Sequence, residues 1–137
     1  MPHNLCKGVA LLLGLAALGN GLFMTFAPES WYWAVPLVPD RGPFNQHFVR
    51  DIGMNYMLIG AAFIYGAVYT TKYRTALWLV PTAWLSVHAV FHIWEVLIGI
   101  CGPEALAVDF AGVTLPALAG IGLVYSSNRC VQTRQHY

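Results

Sequence analysis

Residues 86–95, SVHAVFHIWE, place two histidines and a carboxylate inside a segment that is otherwise apolar and long enough to cross a bilayer. On a helix, positions i, i+4 and i+7 lie on one face, so His88, His92 and Glu95 face the same way. Each ionisable group costs about 2.5 to 3.5 kcal/mol at the centre of a membrane span, and such groups usually face the protein interior. Three of them on one face indicate a site.

The composition is that of a membrane protein. Of the 137 residues, 58% are hydrophobic and 9% are charged, whereas an ordinary soluble domain is about 25% charged. Four apolar runs, residues 5–27, 44–69, 75–100 and 105–125, approach or exceed the roughly 20 residues that cross the hydrocarbon layer. They predict an all-α fold, a single transmembrane domain over residues 1–137 that forms an up-down-up-down four-helix bundle.

The charges predict an orientation for this bundle. Five basic residues lie near the N-terminus, in the second connection and near the C-terminus, which an even number of spans places on one side: Lys7, Lys72, Arg74, Arg129 and Arg134. The positive-inside rule makes that side cytoplasmic. The first and third connections carry mostly acidic residues and belong outside: Glu29, Asp40, Arg41 and Glu104. Both termini are therefore predicted to be cytoplasmic.

Other features narrow the function classes. The net charge of +1 gives no reason to expect a nucleic-acid partner. Cys6, Cys101 and Cys130 form neither a metal-binding nor a disulfide spacing. The first apolar run also resembles a secretory signal, because Lys7 precedes an apolar stretch that contains Ala16 and Ala17. The length of the run and the four-helix charge pattern favour a span.

The connection after the first span has its own pattern. Pro28 ends the first helix, and residues 29–33, ESWYW, carry the amphipathic aromatics typical of a short segment at the membrane interface. Trp31 and Trp33 either belong to this aromatic belt or line a ligand entrance. Asn45 is predicted to cap the second span.

The second span begins with a polar stripe. His47 and Asp51 lie at i and i+4, and Asn55 follows one turn later. Arg50 offers a simpler explanation for the nearby charges, because it can pair with Asp51 or Glu95 and extend its guanidinium outward. Beyond this stripe, glycines and alanines favour close helix packing.

A rise of 1.5 Å per residue, counted from the outer ends of the spans, gives the depth of each polar residue in the membrane. His88 comes out at about 18 Å, and five residues lie between about 5 and 12 Å: His47, Asp51, His92, Glu95 and Asp109. Imidazole and carboxylate ligands on facing helices of a bundle suit iron, copper or zinc. We therefore predict an outward-opening transition-metal site. Its candidate ligands are His47, Asp51, His88, His92, Glu95 and Asp109.

Three alternatives to the metal site stay open. The polar residues can form a structural network of ion pairs and hydrogen bonds. Haem needs two opposed axial histidines, for example His47 with His92 or His88, and would leave the carboxylates unexplained. A metal-free acid–base or substrate pocket is the third.

Residues 27–32, APESWY, and residues 42–53, GPFNQHFVRDIG, resemble small bacterial four-helix membrane proteins of the DoxX-like type. In that group a Pro-containing loop precedes a second span that opens with an Arg and a Gly, here Arg50 and Gly53. The resemblance implies a four-helix fold in the bacterial inner membrane. Some members of the group are linked to quinone-coupled sulfur oxidation or to larger membrane complexes.

A weaker similarity is to emopamil-binding-type four-helix proteins. Those hold sterol-like ligands in a membrane pocket with a His, acidic residues and a Trp, which here would be His88, Glu95, Asp109 and Trp84.

Together these observations lead us to expect metal-centred redox chemistry, an oxidoreductase acting on a lipophilic or small substrate such as a quinone or a hydrocarbon. An accessory subunit of a larger membrane complex is the alternative from a different class. A metal-free isomerase or lipid-binding pocket is the third expectation, with membrane lipid as the surrounding partner in every case.

Overall fold

The computed structural model describes residues 3–69 and 74–134, except for the side chains of residue 3 and of residues 128–134. In that part of the chain the regular secondary structure is entirely helical, which confirms the all-α prediction. The α-helices are α1 (His3–Phe26), α2 (Pro28–Ala34), α3 (Gln46–Val68), α4 (Arg74–Leu97), α5 (Glu104–Asp109) and α6 (Leu115–Arg134).

Four helical segments are long and apolar enough to span a membrane: Asn4–Phe26, Gln46–Val68, Arg74–Leu97 and Glu104–Ser127. They match the four predicted runs to within a few residues at each end. Lys72 lies outside the described residues, as do the side chains of Arg129, Cys130 and Arg134. Arg74 is buried, and its Nε donates to the carbonyl of Gly66 at 2.9 Å.

The connection between α1 and α3 is ordered by local signals. Pro28 is the first residue of α2, so the predicted interfacial segment is a short helix. A single 3₁₀ turn, Pro39–Arg41, follows, and Gly42 then adopts φ 152°, a conformation that favours glycine. Asn45 caps α3 as predicted, since its side chain accepts a hydrogen bond from the Phe48 N–H at 3.1 Å.

α1 and α3 pack backbone to backbone through glycines. A Cβ added to Gly60 would lie 2.6 Å from the carbonyl oxygen of Gly14, and one added to Gly21 would lie 2.5 Å from the carbonyl oxygen of Gly53. Residue numbers rise along α1 while those of its contacts fall along α3, as in antiparallel helices. The small residues of both helices therefore serve the close packing that the sequence predicts.

One half of the bundle has a filled core. Phe63, Trp78 and Leu123 are the largest fully buried side chains among the described residues, and the indole N–H of Trp78 donates to the carbonyl of Phe63 at 3.1 Å. These residues come from the end of α3, the start of α4 and the middle of α6. The opposite half, nearer the α1–α3 connection, holds a cavity instead.

The fourth span contains a π-helical turn, Phe110–Thr114, between α5 and α6. The N–H of Leu115 bonds to the carbonyl of Phe110, five residues earlier. Pro116 follows at once and has no N–H to give to the carbonyl of Gly112, so an ordinary α-helical bond is missing at this place. The turn widens the helix directly after Asp109, and π turns are frequent at functional sites.

Candidate functional site

A cavity of about 810 Å³ occupies the half of the bundle that lacks a filled core. Its walls come from α1, α2, the connection before α3, α3, α4, α5 and the π turn. Apolar side chains such as Leu13, Val49 and Ile52 form most of the lining. On α4 the lining runs from Trp84 to His92, two turns of helix, so the cavity extends along the bundle axis.

A charged cluster lies toward one end of this cavity and joins three separate segments. Arg41 comes from the 3₁₀ turn, His92 from α4 and Asp109 from the end of α5. Nη2 of Arg41 lies 2.5 Å from Oδ2 of Asp109, and Nδ1 of His92 lies 2.7 Å from the same oxygen. The three side chains are mostly buried, between 11% and 19% exposed. Both contacts are therefore short and shielded from solvent.

The contacts of Asp109 affect two properties of the cluster, which are the pKa of the Arg41 guanidinium and the position of the proton on a neutral His92 ring. Partial burial acts to lower the pKa of the Arg41 guanidinium, but the hydrogen bond and negative charge of Asp109 outweigh it and raise that pKa above its ordinary value. Since an ionised carboxylate only accepts hydrogen bonds, Nδ1 of His92 carries the proton and donates it to Asp109. Nη1 of Arg41, 3.4 Å from that nitrogen, then makes a close contact rather than a hydrogen bond.

In the neutral ring, this tautomer leaves Nε2 of His92 with a lone pair. In the part of the chain that the structure describes, both hydrogen-bond contacts of His92 involve Nδ1, and His92 lines the cavity. A carboxylate that orients an imidazole through Nδ1 makes the opposite nitrogen available as a hydrogen-bond acceptor or base. The arrangement therefore presents one oriented basic nitrogen to an apolar chamber.

Aromatic rings continue from His92 along α4. The rings of His88 and His92 meet edge to face with centroids 4.7 Å apart, and Trp84 stacks on His88 at 5.0 Å. Tyr56 of α3 meets Trp84 edge to face at 5.1 Å. All four residues line the cavity, so one wall is a row of rings spaced by single helical turns.

α2 and the connection before α3 form another part of the cavity wall. The indole N–H of Trp31 donates to Oδ1 of Asn20 in α1 at 2.9 Å. The Tyr32 hydroxyl donates to the carbonyl of Gly42 at 2.8 Å, next to Arg41. Trp31 lines the cavity, whereas Trp33 is 67% exposed. The two tryptophans therefore differ in role, with Trp31 at the cavity and Trp33 on the surface.

The structure brings together three of the six predicted metal ligands, His88, His92 and Asp109, which all line the cavity. His47 and Asp51 form a separate pair at 3.2 Å with side chains 88% and 47% exposed. Glu95 is buried and is not part of the cavity lining.

Among the described residues, no group of three or more His, Cys, Asp and Glu side chains is placed to hold a metal ion. The six residues are therefore not gathered into one cluster among the described residues. Arg50, the alternative partner for Asp51 or Glu95, instead donates from Nε to the carbonyl of Thr25 at 3.0 Å.

Sequence reasoning missed Arg41 as a site residue. The sequence contains an indication of this role, because Arg41 is the single basic residue in the connections predicted to lie outside. A basic residue on the side predicted to be outside is unusual, and an acidic partner such as Asp109 in the fourth apolar run would explain it.

No known protein family, curated protein or solved structure matches this chain. The resemblances to DoxX-like and emopamil-binding-type proteins therefore stay predictions from sequence, and the function has to be argued from the site itself.

Proposed function

We propose that this is a multi-pass membrane protein that binds a lipophilic small molecule in the cavity, with a polar group of the ligand held at His92. One observation supports the proposal above all: a large, mostly apolar cavity has the Arg41–Asp109–His92 cluster at one of its ends. This function corresponds to the metal-free pocket among the expectations from sequence.

The size and lining of the cavity support a ligand of moderate size. Sites for small molecules typically measure about 300 to 1,000 Å³ and combine apolar walls with a few placed polar groups. The cavity of about 810 Å³ falls within that range. Its apolar lining favours a molecule that already partitions into the bilayer.

The cluster supports a polar contact at one defined place. Asp109 orients the His92 ring, and Arg41 holds Asp109 and balances its charge. A ligand hydroxyl that donates to Nε2 of His92 would satisfy the one nitrogen of that ring that has no partner among the described residues. Arg41 and Asp109 then act as positioning residues rather than as ligand contacts.

The proposed placement in the membrane follows the sequence. Consecutive spans run up, down, up and down, with both termini in the cytoplasm of a bacterial inner membrane. The basic residues at the predicted cytoplasmic side and the antiparallel contacts of α1 with α3 support it. In this orientation the charged cluster lies near the outer surface.

A matched pair of glycine variants tests the pocket. A Cβ added to Gly112 or to Gly122 meets nothing within 4 Å, so both sites tolerate a side chain. Only Gly112 lines the cavity. Gly112→Leu should therefore displace a lipophilic molecule that co-purifies in mild detergent and is detected by native mass spectrometry, whereas Gly122→Leu should retain it.

Two results would count against a ligand pocket. One is a protein that binds no lipophilic molecule when purified or when titrated with lipid extract. The other is equal retention of the molecule by the Gly112→Leu and Gly122→Leu variants at equal thermal stability, which would place it elsewhere on the surface.

A metal ion at His88 and His92 is the second candidate, favoured by the contact between their rings at 4.7 Å. The fit is incomplete, because the nearby Asp109 carboxylate is bonded to Arg41 and His92 and two imidazoles fall short of the three or four protein ligands of common sites. Elemental analysis of protein purified without chelator or His-tag tests it. About one equivalent of iron, copper or zinc that is lost in His88→Ala would establish the metal, and a Soret band would indicate haem.

A further inference from the structure

The polar side chains that line the cavity fall into two groups by hydrogen bonding. In the first group the protein supplies the partner: Trp31 donates to Asn20, Tyr32 donates to the carbonyl of Gly42, and Asp109 accepts from Arg41. These groups are satisfied without a ligand, so they close and shape the cavity.

The second group has no hydrogen-bond partner among the described residues. It comprises the Tyr56 hydroxyl, the Trp84 indole N–H, the His88 ring nitrogens and Nε2 of His92. These residues contact one another through their rings, and the hydrogen bond of His92 to Asp109 uses Nδ1. In the described part of the chain, the fully buried side-chain polar atoms without a partner are Nε of Arg41 and Oγ1 of Thr82. The atoms of the second group are not among them, so they are not fully enclosed by protein.

These unsatisfied groups share one wall and are spread along its length. Trp84, His88 and His92 follow one another at intervals of four residues on α4, and Tyr56 packs against Trp84. Eight residues separate Trp84 from His92, which corresponds to about 12 Å along the helix axis. The hydrogen-bonding capacity thus extends beyond the charged cluster, with His92 at one level of the cavity, Trp84 and Tyr56 at a second level, and the His88 ring between them.

The two levels differ in what they offer. At one level Nε2 of His92 is an acceptor, because Nδ1 carries the proton that is donated to Asp109. At the other level the Trp84 indole is a donor only, and the Tyr56 hydroxyl beside it can also donate. A complementary ligand presents a donor to His92 and an acceptor to Trp84 and Tyr56.

We propose that the ligand is an elongated, mainly apolar molecule with a hydrogen-bonding group near each end, a donor at His92 and an acceptor about 12 Å away at Trp84 and Tyr56. The inference rests on the proposed function and adds the chemical class of the ligand. A pure hydrocarbon would leave both sets of protein groups unsatisfied, and desolvating such groups without replacement is unfavourable. The row of rings favours a flat molecule that lies against it.

Three rigid probes test this class: trans-stilbene, its derivative with one para hydroxyl, and its derivative with a para hydroxyl on each ring. The two oxygens of the dihydroxy compound are spaced like the two levels of the wall. Binding to the full chain in mild detergent is measured through quenching of tryptophan fluorescence. The dihydroxy compound should bind about tenfold more tightly than the monohydroxy compound, the gain from one additional net hydrogen bond.

Tyr56→Phe tests the level at Trp84 and Tyr56 and leaves the level at His92 unchanged. It removes a hydroxyl that has no partner among the described residues, so the fold should be retained, as a melting curve will show. The affinity for dihydroxystilbene should fall several-fold in this variant, while that for trans-stilbene stays the same. Tyr65→Phe is the control, because Tyr65 is 54% exposed and does not line the cavity, and it should change neither affinity.

The inference and the proposed function fail in different ways. Equal affinity for the three probes, or an unchanged affinity for dihydroxystilbene in Tyr56→Phe, would overturn the two-ended ligand and leave the lipophilic pocket standing. Binding that Gly112→Leu does not weaken would overturn both, and so would the failure of all three probes and of lipid extract to bind.

Discussion

Nδ1 of His92 lies 2.7 Å from Oδ2 of Asp109, and the same oxygen accepts from Nη2 of Arg41. One carboxylate oxygen thus joins α4, the end of α5 and the connection between α1 and α3. This oxygen therefore orients the histidine and also holds the loop.

Asp109→Asn should lower the free energy of unfolding by about 3 kcal/mol, since it leaves a mostly buried guanidinium without its counter-charge. The measurement is unfolding in mixed micelles of dodecyl maltoside and SDS, followed by circular dichroism. Asp51→Asn is the control, because its partner His47 is 88% exposed, and it should cost less than about 0.5 kcal/mol. Similar losses in the two variants would contradict a special role for Asp109.

Much of the fold could be predicted from sequence because it depends on local patterns. Apolar runs of sufficient length marked the four helices, and Asn45 was recognisable as a cap from its side chain and position. The contact between His88 and His92 follows from their i, i+4 spacing on one helix. Each of these features is decided within a few residues.

The rest of the site could not be predicted, because it depends on how separate segments meet. Depth along a span does not reveal the direction of a side chain around it, so His47 and Asp51 pair on the surface while Asp109 faces the cavity. The π turn after Asp109 changes the register of the fourth span. Arg41 reaches the cluster from a loop, and sequence spacing gives no information on such a contact.

Trp31→Phe should lower the free energy of unfolding by about 1 kcal/mol, because it removes the hydrogen bond from the indole to Asn20 that ties α2 to α1. The free asparagine side chain in the cavity wall adds to the loss. Trp33→Phe makes the same change two residues later at an exposed position and should have almost no effect. Unfolding in the same mixed micelles compares them, and an equal loss for both would assign the effect to the membrane interface.

Gly60→Ala should prevent α1 and α3 from packing at their present distance. The added Cβ would meet the Gly14 carbonyl and the Leu18 backbone nitrogen at 2.6 Å, and neither backbone atom can move alone. We expect a loss of about 2 kcal/mol or more, in the range of overpacked cores. Gly19→Ala meets nothing within 4 Å and should instead stabilise the helix by up to about 1 kcal/mol. A neutral Gly60→Ala variant would mean that the two helices pack less closely.

Thr82→Val should stabilise the protein, whereas the same substitution elsewhere on α4 should destabilise it. Oγ1 of Thr82 is buried with no hydrogen-bond partner in the described part of the chain, so replacing it by a methyl group removes an unsatisfied hydroxyl and keeps the shape of the side chain. The gain should be about 1 kcal/mol. Thr75→Val is the matched control on α4, because Oγ1 of Thr75 donates to Oγ of Ser127 at 2.9 Å, and it should lose about 1 kcal/mol. If Thr82→Val is as destabilising as Thr75→Val in mixed-micelle unfolding, the Thr82 hydroxyl has a bound water as its partner.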